Sequence, residues 1–469
     1  MKDMKYSKVY YKILIFVTIF LFIKSSASTQ NLFEIRFLLK NQLDSTFILA
    51  RHFGEKLQLV DSTGHNKEGL IVFSGTERLP GGVYILATGK KNRLLEFLVS
   101  EDQHFTIEAD FGSTEFSIQC NDSRDNQVFF EHLRLSNTAY TYLNKIKTQK
   151  ETGELSAEQF QVQTDSVNSL INDYRQKIIH ESPELFISSI FKALKEPVIP
   201  QTILNDNEKS YLYYKHHFWD NIDLNDDRML RTPVFSQKLQ AYFSKLIPPV
   251  PDSVITAIDE LIAKANTNIV VRDYLIWHFT SEYQHHSIMG MDKVFVHLAD
   301  AYFSKTQIAN TTESVKQKIL ERSNQLRKLL IGSSAPELWL IDTAGAYRSF
   351  KEIKADYTIL FFWDFECGVC KKELDELLNI VNNRKYPVEV YAIGTNSNLE
   401  GWKDYIVRNK LNWLNVNGTR SMTPDFHDLY DIYGTPVIYL LDKHKTIIAK
   451  RIKSDQIGLV IENFTKSSL

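Results

Sequence analysis

The sequence predicts three folded domains: a β-rich N-terminal domain, a mostly α-helical middle domain and a C-terminal α/β domain. Three observations predict this multidomain fold class. Short apolar or alternating runs separated by turn residues dominate residues 28–122. Apolar residues recur at helical spacing through residues 125–330. After a linker at residues 332–336, strand and helix patterns alternate to the end of residues 331–469.

Length and composition narrow the functional classes. The chain has 469 residues, of which 43% are hydrophobic, so it can bury more than one core. The formal net charge of -2 gives no indication of nucleic-acid binding. The sequence has 3 cysteines, Cys120, Cys367 and Cys370, too few for a small scaffold held by disulfides.

Residues 1–27 have the order of a secretory signal peptide. Several lysines precede the apolar run at residues 13–23, and Ser25-Ser26-Ala27 offers small residues for cleavage. The run is shorter than the roughly 20 residues of a membrane span. We therefore expect export to the periplasmic side of the cell envelope, with an uncleaved membrane anchor as the alternative. Thiols tend to be oxidised there.

The N-terminal domain is expected to be a small β-sandwich or barrel. Strands are predicted at residues 33–39, 46–50, 57–60, 70–74, 83–87, 95–99 and 104–109. Pro80-Gly81-Gly82 predicts a turn before one of them. Cys120 ends a strand-like segment and is expected to be a buried small hydrophobic residue, although a partnership with Cys367 is an alternative.

The middle domain is expected to contain several long helices. Ser156 and Gln159 predict a capping box at the start of a helix that ends near residue 180. Ser182-Pro183 predicts the start of the next helix. Neighbouring histidines occur at His216-His217 and His285-His286, but adjacent side chains rarely point to one place, so packing is favoured over metal binding.

One segment of the C-terminal domain carries the chemistry. The apolar strand predicted at residues 358–363 leads into Cys367-Gly368-Val369-Cys370, which opens a helix predicted at residues 369–383. Free N–H groups and the dipole at a helix start stabilise a thiolate, which is the species that attacks a disulfide. Two intervening residues bring the second sulfur within reach. A zinc half-site would need two more ligands, and the sequence has no second Cys-x-x-Cys.

A second motif follows downstream. Tyr433-Gly434-Thr435-Pro436 precedes the apolar strand predicted at residues 436–441, and a proline that enters a central strand after a turn is a candidate for a cis peptide bond. Strand candidates at residues 338–341, 388–393 and 446–451, with helices at 399–410, 425–432 and 456–466, complete a thioredoxin-like order.

Residues 331–469 resemble the TlpA/ResA-type thioredoxin-like domains of the AhpC/TSA–redoxin group. The resembling segments are Ala335-Pro336, residues 361–363, residues 367–373 and residues 433–443. Residues 28–122 and 125–330 are similar to two uncharacterised domains, one β-rich and one helical, of bacterial envelope proteins. The three resemblances cover nearly the whole chain after the signal.

The resemblance implies roles for individual residues. Cys367 would be the nucleophile and Cys370 the resolving cysteine. Thr435 and Pro436 would bind substrate, and we include Trp363 in that site. Glu373 would help to transfer protons, although a solvated surface acid is an equal alternative.

The sequence departs from the family pattern at several positions. Glu366 replaces a usual aromatic residue, Val369 replaces a common proline, and Phe361 stands where thioredoxin has a buried acid. Asp364 stands where a peroxiredoxin needs Thr or Ser, so that activity is disfavoured. Glu366 and Glu373 should raise the nucleophile's pKa, because nearby negative charge disfavours a thiolate.

The predicted function is therefore an exported thiol–disulfide oxidoreductase that reduces disulfides of envelope proteins. It needs no cofactor beyond its own cysteine pair, and a membrane electron donor would restore the dithiol. The alternative is an envelope binding protein whose upstream domains carry the function while the redox site is auxiliary.

Overall fold

The computed structural model describes residues 31–65, 69–113 and 117–467. The predicted signal peptide, residues 1–27, lies outside the described residues. Within the described ranges, no helix is both long and apolar enough to cross a membrane. The described residues divide into two compact units: those within 31–50, 59–81 and 85–140 in one, and those within 51–58, 82–84 and 141–467 in the other.

The N-terminal domain is β-rich, as predicted. Its strands are β1 (Phe33–Lys40), β2 (Thr46–Phe53), β3 (Lys56–Gly64), β4 (Ile71–Gly75), β5 (Gly82–Thr88), β6 (Arg93–Val99), β7 (His104–Asp110) and β8 (Ile118–Cys120). In the described residues they form two sheets, with orders β4-β1-β7-β8 and β3-β2-β5-β6. Phe37 of β1 packs edge-on against Phe97 of β6, with ring centroids 5.4 Å apart. Aromatic side chains thus join the two sheets.

The middle domain is helical, as predicted. Its α-helices are α1 (Arg124–Glu151), α2 (Ala157–Glu181), α3 (Phe186–Ala193), α4 (Asn207–His217), α5 (Pro233–Ala241), α6 (Pro251–Lys264), α7 (Ile269–Tyr283), α8 (Asp292–Leu298) and α9 (Glu313–Arg327). The capping box of α2 is confirmed: Gln159 N donates to Ser156 Oγ at 3.1 Å, and Ser156 N donates to Gln159 Oε1 at 3.0 Å.

The prediction that Ser182-Pro183 starts a helix is wrong. Ser182 instead caps the end of α2, where its N–H donates to the carbonyl of Ile178. The next helix begins only at Phe186. The Ser188 hydroxyl of α3 donates to the carbonyl of Ser182 at 2.6 Å. Both backbone groups of Ser182 are therefore hydrogen-bonded at the end of α2, and Ser182 does not cap the start of the next helix.

The C-terminal domain is a sheet with helices on both faces. Its strands are β9 (Trp339–Asp342), β10 (Tyr347–Ser349), β11 (Tyr357–Trp363), β12 (Val388–Gly394), β13 (Leu414–Ser421), β14 (Val437–Leu441) and β15 (Ile447–Lys450). Its α-helices are α10 (Gly368–Asn383), α11 (Leu399–Arg408), α12 (Phe426–Tyr430) and α13 (Ile457–Ser467). The strand order is β10-β9-β13-β12-β11-β14-β15.

Strand β11 lies inside this sheet and directs the chain to the cysteines. It pairs in parallel with β12 and antiparallel with β14. Its residues are buried on both faces because successive side chains alternate: Phe361 packs in the core with α10, α11 and α13, whereas Phe362 packs in the core with α12. The strand ends at Trp363, and α10 begins at Gly368. A short loop after the carboxyl end of β11 therefore carries Cys367.

Candidate redox site

Cys367 occupies the N-cap position of α10. Its backbone is extended, with φ -75° and ψ 118°, and its sulfur accepts a hydrogen bond from Cys370 N at 3.3 Å. A sulfur in this position replaces the oxygen of a usual capping side chain and satisfies one of the free N–H groups of the first turn. The sequence prediction that Cys367 lies at the helix start is confirmed.

The two thiols differ in exposure and acidity. Both are free; Cys367 is partly exposed, while Cys370 is buried. Burial acts to raise the pKa of Cys367, but hydrogen bonds from the Cys370 thiol and from the N–H groups of Cys370 and Val369 outweigh it and lower that pKa. Burial raises the pKa of Cys370 to about 11. Of the two thiols, Cys367 is therefore the more readily ionised.

The carboxylate that opposes the Cys367 thiolate is Asp364. Its charge acts to raise the pKa of Cys367. We expected nearby negative charge, from Glu366 and Glu373, to raise the pKa of Cys367; the structure corrects this expectation, since that pKa is lowered. Asp364 is fixed by Glu366 N, which donates to its carboxylate at 2.8 Å, and by Asn396 Nδ2 at 3.1 Å. In the sequence, only the position of Asp364 three residues before Cys367 indicated that its carboxylate could affect the thiol pKa.

Thr435 and Pro436 lie directly beside the nucleophile. The Thr435-Pro436 peptide bond is cis, as the sequence predicted. The Cys367 thiol donates to the carbonyl of Thr435 at 3.8 Å, which is within range for a sulfur donor. Cys367 and Thr435 are 68 positions apart in sequence. They meet because β14, which follows Pro436, pairs with β11, the strand that leads to Cys367.

Glu373 lies one turn beyond Cys370 and is attached to the loop before α13. Ser454 N donates to Glu373 Oε2 at 2.7 Å, and Ser454 Oγ donates to the Glu373 carbonyl at 3.0 Å. The side chain also lines a groove of about 430 Å³ together with Val369, Tyr433, Pro436, Arg451 and Lys453. Glu373 is therefore held by Ser454 and is not a freely solvated acid.

The side chain of Trp363 does not lie in this groove. It is completely buried, stacks on Phe361 at 6.1 Å between ring centroids and packs near Tyr405 at 5.6 Å. This burial argues against the substrate contact that we expected, because every residue of β11 from Ile359 onward packs in one of the two cores. Trp363 instead supports the strand from which the cysteine loop projects.

Two of the neighbouring histidines, His217 and His286, contact residues close to them in sequence. The His217 Nδ1 atom lies 2.6 Å from Asp220 Oδ2, and the ring of His286 stacks on Tyr283 at 5.0 Å. In the part of the chain that the structure describes, no group of three or more His, Cys, Asp or Glu side chains could hold a metal ion. Cys120 is buried at the end of β8, and burial raises the pKa of its thiol to about 11.

Two family matches cover separate parts of the chain. Residues 355–447 match the family described as thioredoxin-like, and residues 143–328 match a domain of unknown function (DUF5106). No curated protein matches the chain significantly.

Several solved structures are similar to the chain. A domain of a possible thiol-disulfide isomerase from Cytophaga hutchinsonii is 43% identical, with a TM-score of 0.28, and the alignment covers 29% of this chain and 95% of that one. The thioredoxin domain of a thiol-disulfide oxidoreductase from Bacteroides vulgatus is 31% identical, with a TM-score of 0.26, over 29% and 96% of the two chains. A thioredoxin-like protein from Bacteroides caccae is 22% identical, with a TM-score of 0.46, over 57% and 98%.

Proposed function

We propose that this chain, which belongs to the thioredoxin-like family through its C-terminal domain, is an exported thiol–disulfide oxidoreductase that reduces disulfide bonds of cell-envelope proteins. The observation that supports it most is the pairing of a partly exposed Cys367 of lowered pKa with a buried Cys370 of raised pKa. An attacking thiol needs access and ionisation, whereas a resolving thiol needs protection until it is used.

The reaction begins when the Cys367 thiolate attacks one sulfur of a substrate disulfide. The substrate S–S bond breaks, its other sulfur leaves as a thiolate, and a mixed disulfide joins Cys367 to the substrate. Cys370 then loses its proton and attacks the Cys367 sulfur. The substrate leaves as a dithiol with two electrons gained, and the protein retains a Cys367–Cys370 disulfide.

Substrate would bind against Thr435 and Pro436. The Thr435 carbonyl already accepts a hydrogen bond from the Cys367 thiol, so an extended substrate segment could reach the backbone here while its disulfide meets Cys367. The adjoining groove of about 430 Å³ has room for side chains that flank the substrate cysteine. Its exposed side chains Val369 and Tyr433 offer apolar contact.

The reducing direction is proposed because hydrogen bonds lower the pKa of Cys367 without help from a charged side chain between the two cysteines. Gly368 and Val369, between the two cysteines, have neither charge nor a side-chain donor, and Asp364 opposes ionisation of Cys367. A strong oxidant stabilises its thiolate much more, which favours its reduced state. We expect a potential nearer about -270 mV than about -120 mV. A membrane electron donor would then have to restore the dithiol.

The test is a set of cysteine variants of the mature protein, assayed for reduction of insulin by dithiothreitol. The wild type should accelerate the reaction, Cys367→Ala should abolish the acceleration, and Cys370→Ser should accumulate a mixed disulfide on a thiol-trapping gel. Cys120→Ala is the matched control and should retain activity, because its buried thiol has no role in the reaction.

Each part of the proposal can fail separately. Equal insulin reduction by the wild type and Cys367→Ala would favour the alternative of a binding protein with an auxiliary redox site. A potential above about -180 mV, measured by equilibration with glutathione, would contradict the reducing direction. Recovery of the protein in the cytosol with Met1 retained would contradict export.

A further inference from the structure

A buried carboxylate holds the segment that precedes the Thr435-Pro436 peptide. Asp431 caps the end of α12 in a left-handed conformation with φ 56°, and its side chain is 1% exposed. Three residues separate it from Thr435, whose carbonyl lies beside the Cys367 sulfur. Whatever fixes Asp431 therefore also restricts the backbone that faces the nucleophile.

Arg322 of α9 makes the principal contact with this carboxylate. Its guanidinium binds both oxygens: Nη2 donates to Asp431 Oδ2 at 2.8 Å, and Nη1 donates to Oδ1. Arg451, directly after β15, donates to the Asp431 carbonyl at 2.9 Å and also to the carboxylate. Burial acts to raise the pKa of Asp431, but the hydrogen bond and charge of Arg322, with the charge of Arg451, lower it. The carboxylate is thus ionised and fully paired.

Two further contacts connect α9 to the same segment. The Arg322 guanidinium lies 5.9 Å from the centroid of the Tyr433 ring, a distance at which cation–π attraction acts. One turn along α9, Gln325 Nε2 donates to the carbonyl of Asp428 in α12 at 2.7 Å. Helix α9 thus contacts residues before, within and after the bend at Asp431. It lies in the region that matches the domain of unknown function.

We propose that the helical domain is part of the substrate-binding machinery of the redox site, with Arg322 as a positioning residue that acts through Asp431. The inference rests on the proposed oxidoreductase function. A bidentate arginine–carboxylate pair fixes orientation as well as distance, so it holds residues 432–435 in one conformation. A polypeptide substrate needs that conformation because it docks along the segment. A small disulfide that meets only the Cys367 sulfur does not.

The test compares three substitutions in the full-length mature protein. Arg322→Ala removes the fork, Arg322→Lys keeps the charge without the bidentate geometry, and Arg327→Ala is the matched control. Arg327 lies on the same helix and is ion-paired with Asp300, a residue of the helical domain. Steady-state kinetics are measured with insulin and dithiothreitol, and the pre-reduced protein is mixed with the small disulfide 5,5'-dithiobis(2-nitrobenzoate) for a single turnover without added reductant.

We expect Arg322→Ala to raise KM for insulin about tenfold, the scale of one lost charged hydrogen-bond partner, while kcat changes little. Its rate with the small disulfide and the pH profile of Cys367 alkylation should match the wild type. The KM of Arg322→Lys for insulin should lie between those of the wild type and Arg322→Ala. Arg327→Ala should match the wild type in every measurement. Equal losses with both disulfides, or an unchanged KM for insulin, would overturn the positioning role.

Amide hydrogen exchange tests the same role without any activity. Residues 432–435 should exchange faster in Arg322→Ala than in Arg327→Ala, and exchange at the same rate in both would overturn the inference. If Arg322→Ala does not fold, Arg322→Lys provides the same comparison. A wild type inactive toward both disulfides would contradict the proposed function, and hydrogen exchange would still decide whether Arg322 holds the segment.

Discussion

At the scale of single residues, the site depends on two thiols whose pKa values are shifted in opposite directions although they are only three positions apart. The first turn of α10 explains the difference. Cys367 caps the helix and receives N–H groups, whereas Cys370 lies inside the turn, packed with Leu374 and Leu377 in the core. The same short motif therefore produces one ionisable sulfur and one protected sulfur.

Alkylation should report this difference directly. Iodoacetamide reacts with thiolates, so its rate at Cys367 should rise with pH and reach half its maximum below the pKa of an ordinary cysteine, about 8.5. Cys370, whose pKa is raised to about 11, should stay unmodified near pH 7. Mass spectrometry of the reduced protein after short labelling measures both rates. Faster modification of Cys370 than of Cys367 would reverse the assigned roles.

Glu373 can be tested as the proton acceptor for Cys370. Glu373→Gln keeps an oxygen that can accept from Ser454 N but removes the base, so resolution of the mixed disulfide should slow by roughly 10²-fold if Glu373 receives the proton. Acid quenching and gel analysis of the trapped mixed disulfide measure this step. Glu376→Gln, an exposed position on the same helix, is the control. Equal release rates in the two variants would assign the proton to water.

At the scale of elements, β12 and α11 meet at a position that has room only for glycine. A Cβ added at Gly394 would lie 2.4 Å from Trp402 Nε1. Since Trp402 is buried in the core, it cannot move aside cheaply.

Gly394→Ala should therefore lower the free energy of unfolding by about 1–3 kcal/mol. Gly434→Ala is a matched control, because a Cβ there would meet nothing within 4 Å. Urea unfolding followed by tryptophan fluorescence gives both values. A Gly394→Ala protein as stable as the control would mean that the contact between β12 and α11 is looser than described.

The sequence was most informative where one element carries its own signal. The apolar run of β11, the Cys-x-x-Cys at the start of α10 and the proline before β14 could all be recognised locally. Strand β13 was missed because only its first four residues, which include the buried Asn417, alternate between apolar and polar, and residues 418–421 that follow are glycine or polar. Asn417 is tolerated there because Asn417 Nδ2 donates to the Asn396 carbonyl at 3.0 Å, a contact that no local pattern reveals.

At the scale of the whole molecule, a buried ion pair joins the helical domain to the redox domain. Lys450 at the end of β15 is 8% exposed and pairs with Asp292 of α8; its ammonium also donates to the carbonyl of Leu329 at 2.6 Å. Burial lowers the pKa of Lys450, although Asp292 acts to raise it. Loss of Asp292 would leave the buried Lys450 ammonium without a counter-charge, and this costs more free energy than the ion pair itself contributes.

Asp292→Asn should destabilise the protein by about 3–5 kcal/mol, because it leaves a buried ammonium without a counter-charge. The matched control is Asp252→Asn, which breaks the exposed pair with Lys293 and should cost at most about 1 kcal/mol. Urea unfolding of the full chain compares the two variants. Similar stabilities would mean that Lys450 finds water once its partner is lost.

Contacts of this kind lie beyond what sequence patterns can predict. Arg322 and Asp431 are 109 residues apart, on elements of different domains, and each looks like an ordinary surface charge in its own segment. Burial of a charge is decided by which helix packs where, and the sequence of either segment alone is compatible with a solvated side chain.

The pairing of one carboxylate with two guanidinium groups also affects the balance of charge in the groove beside Pro436. Asp431 is buried and paired with Arg322 and Arg451, so the solvent-accessible charges that line the groove are Arg451, Lys453 and Glu373, two cations and one anion. Such a potential speeds encounter with acidic partners and weakens as ions screen it, over about 8 Å at physiological ionic strength. Disulfide peptides flanked by Asp should therefore react faster than Lys-flanked ones at low salt, and added sodium chloride should erase the preference. Under the proposed function, the surroundings of the cysteines would then select disulfide substrates by the charge near their sulfurs before any sulfur is exchanged.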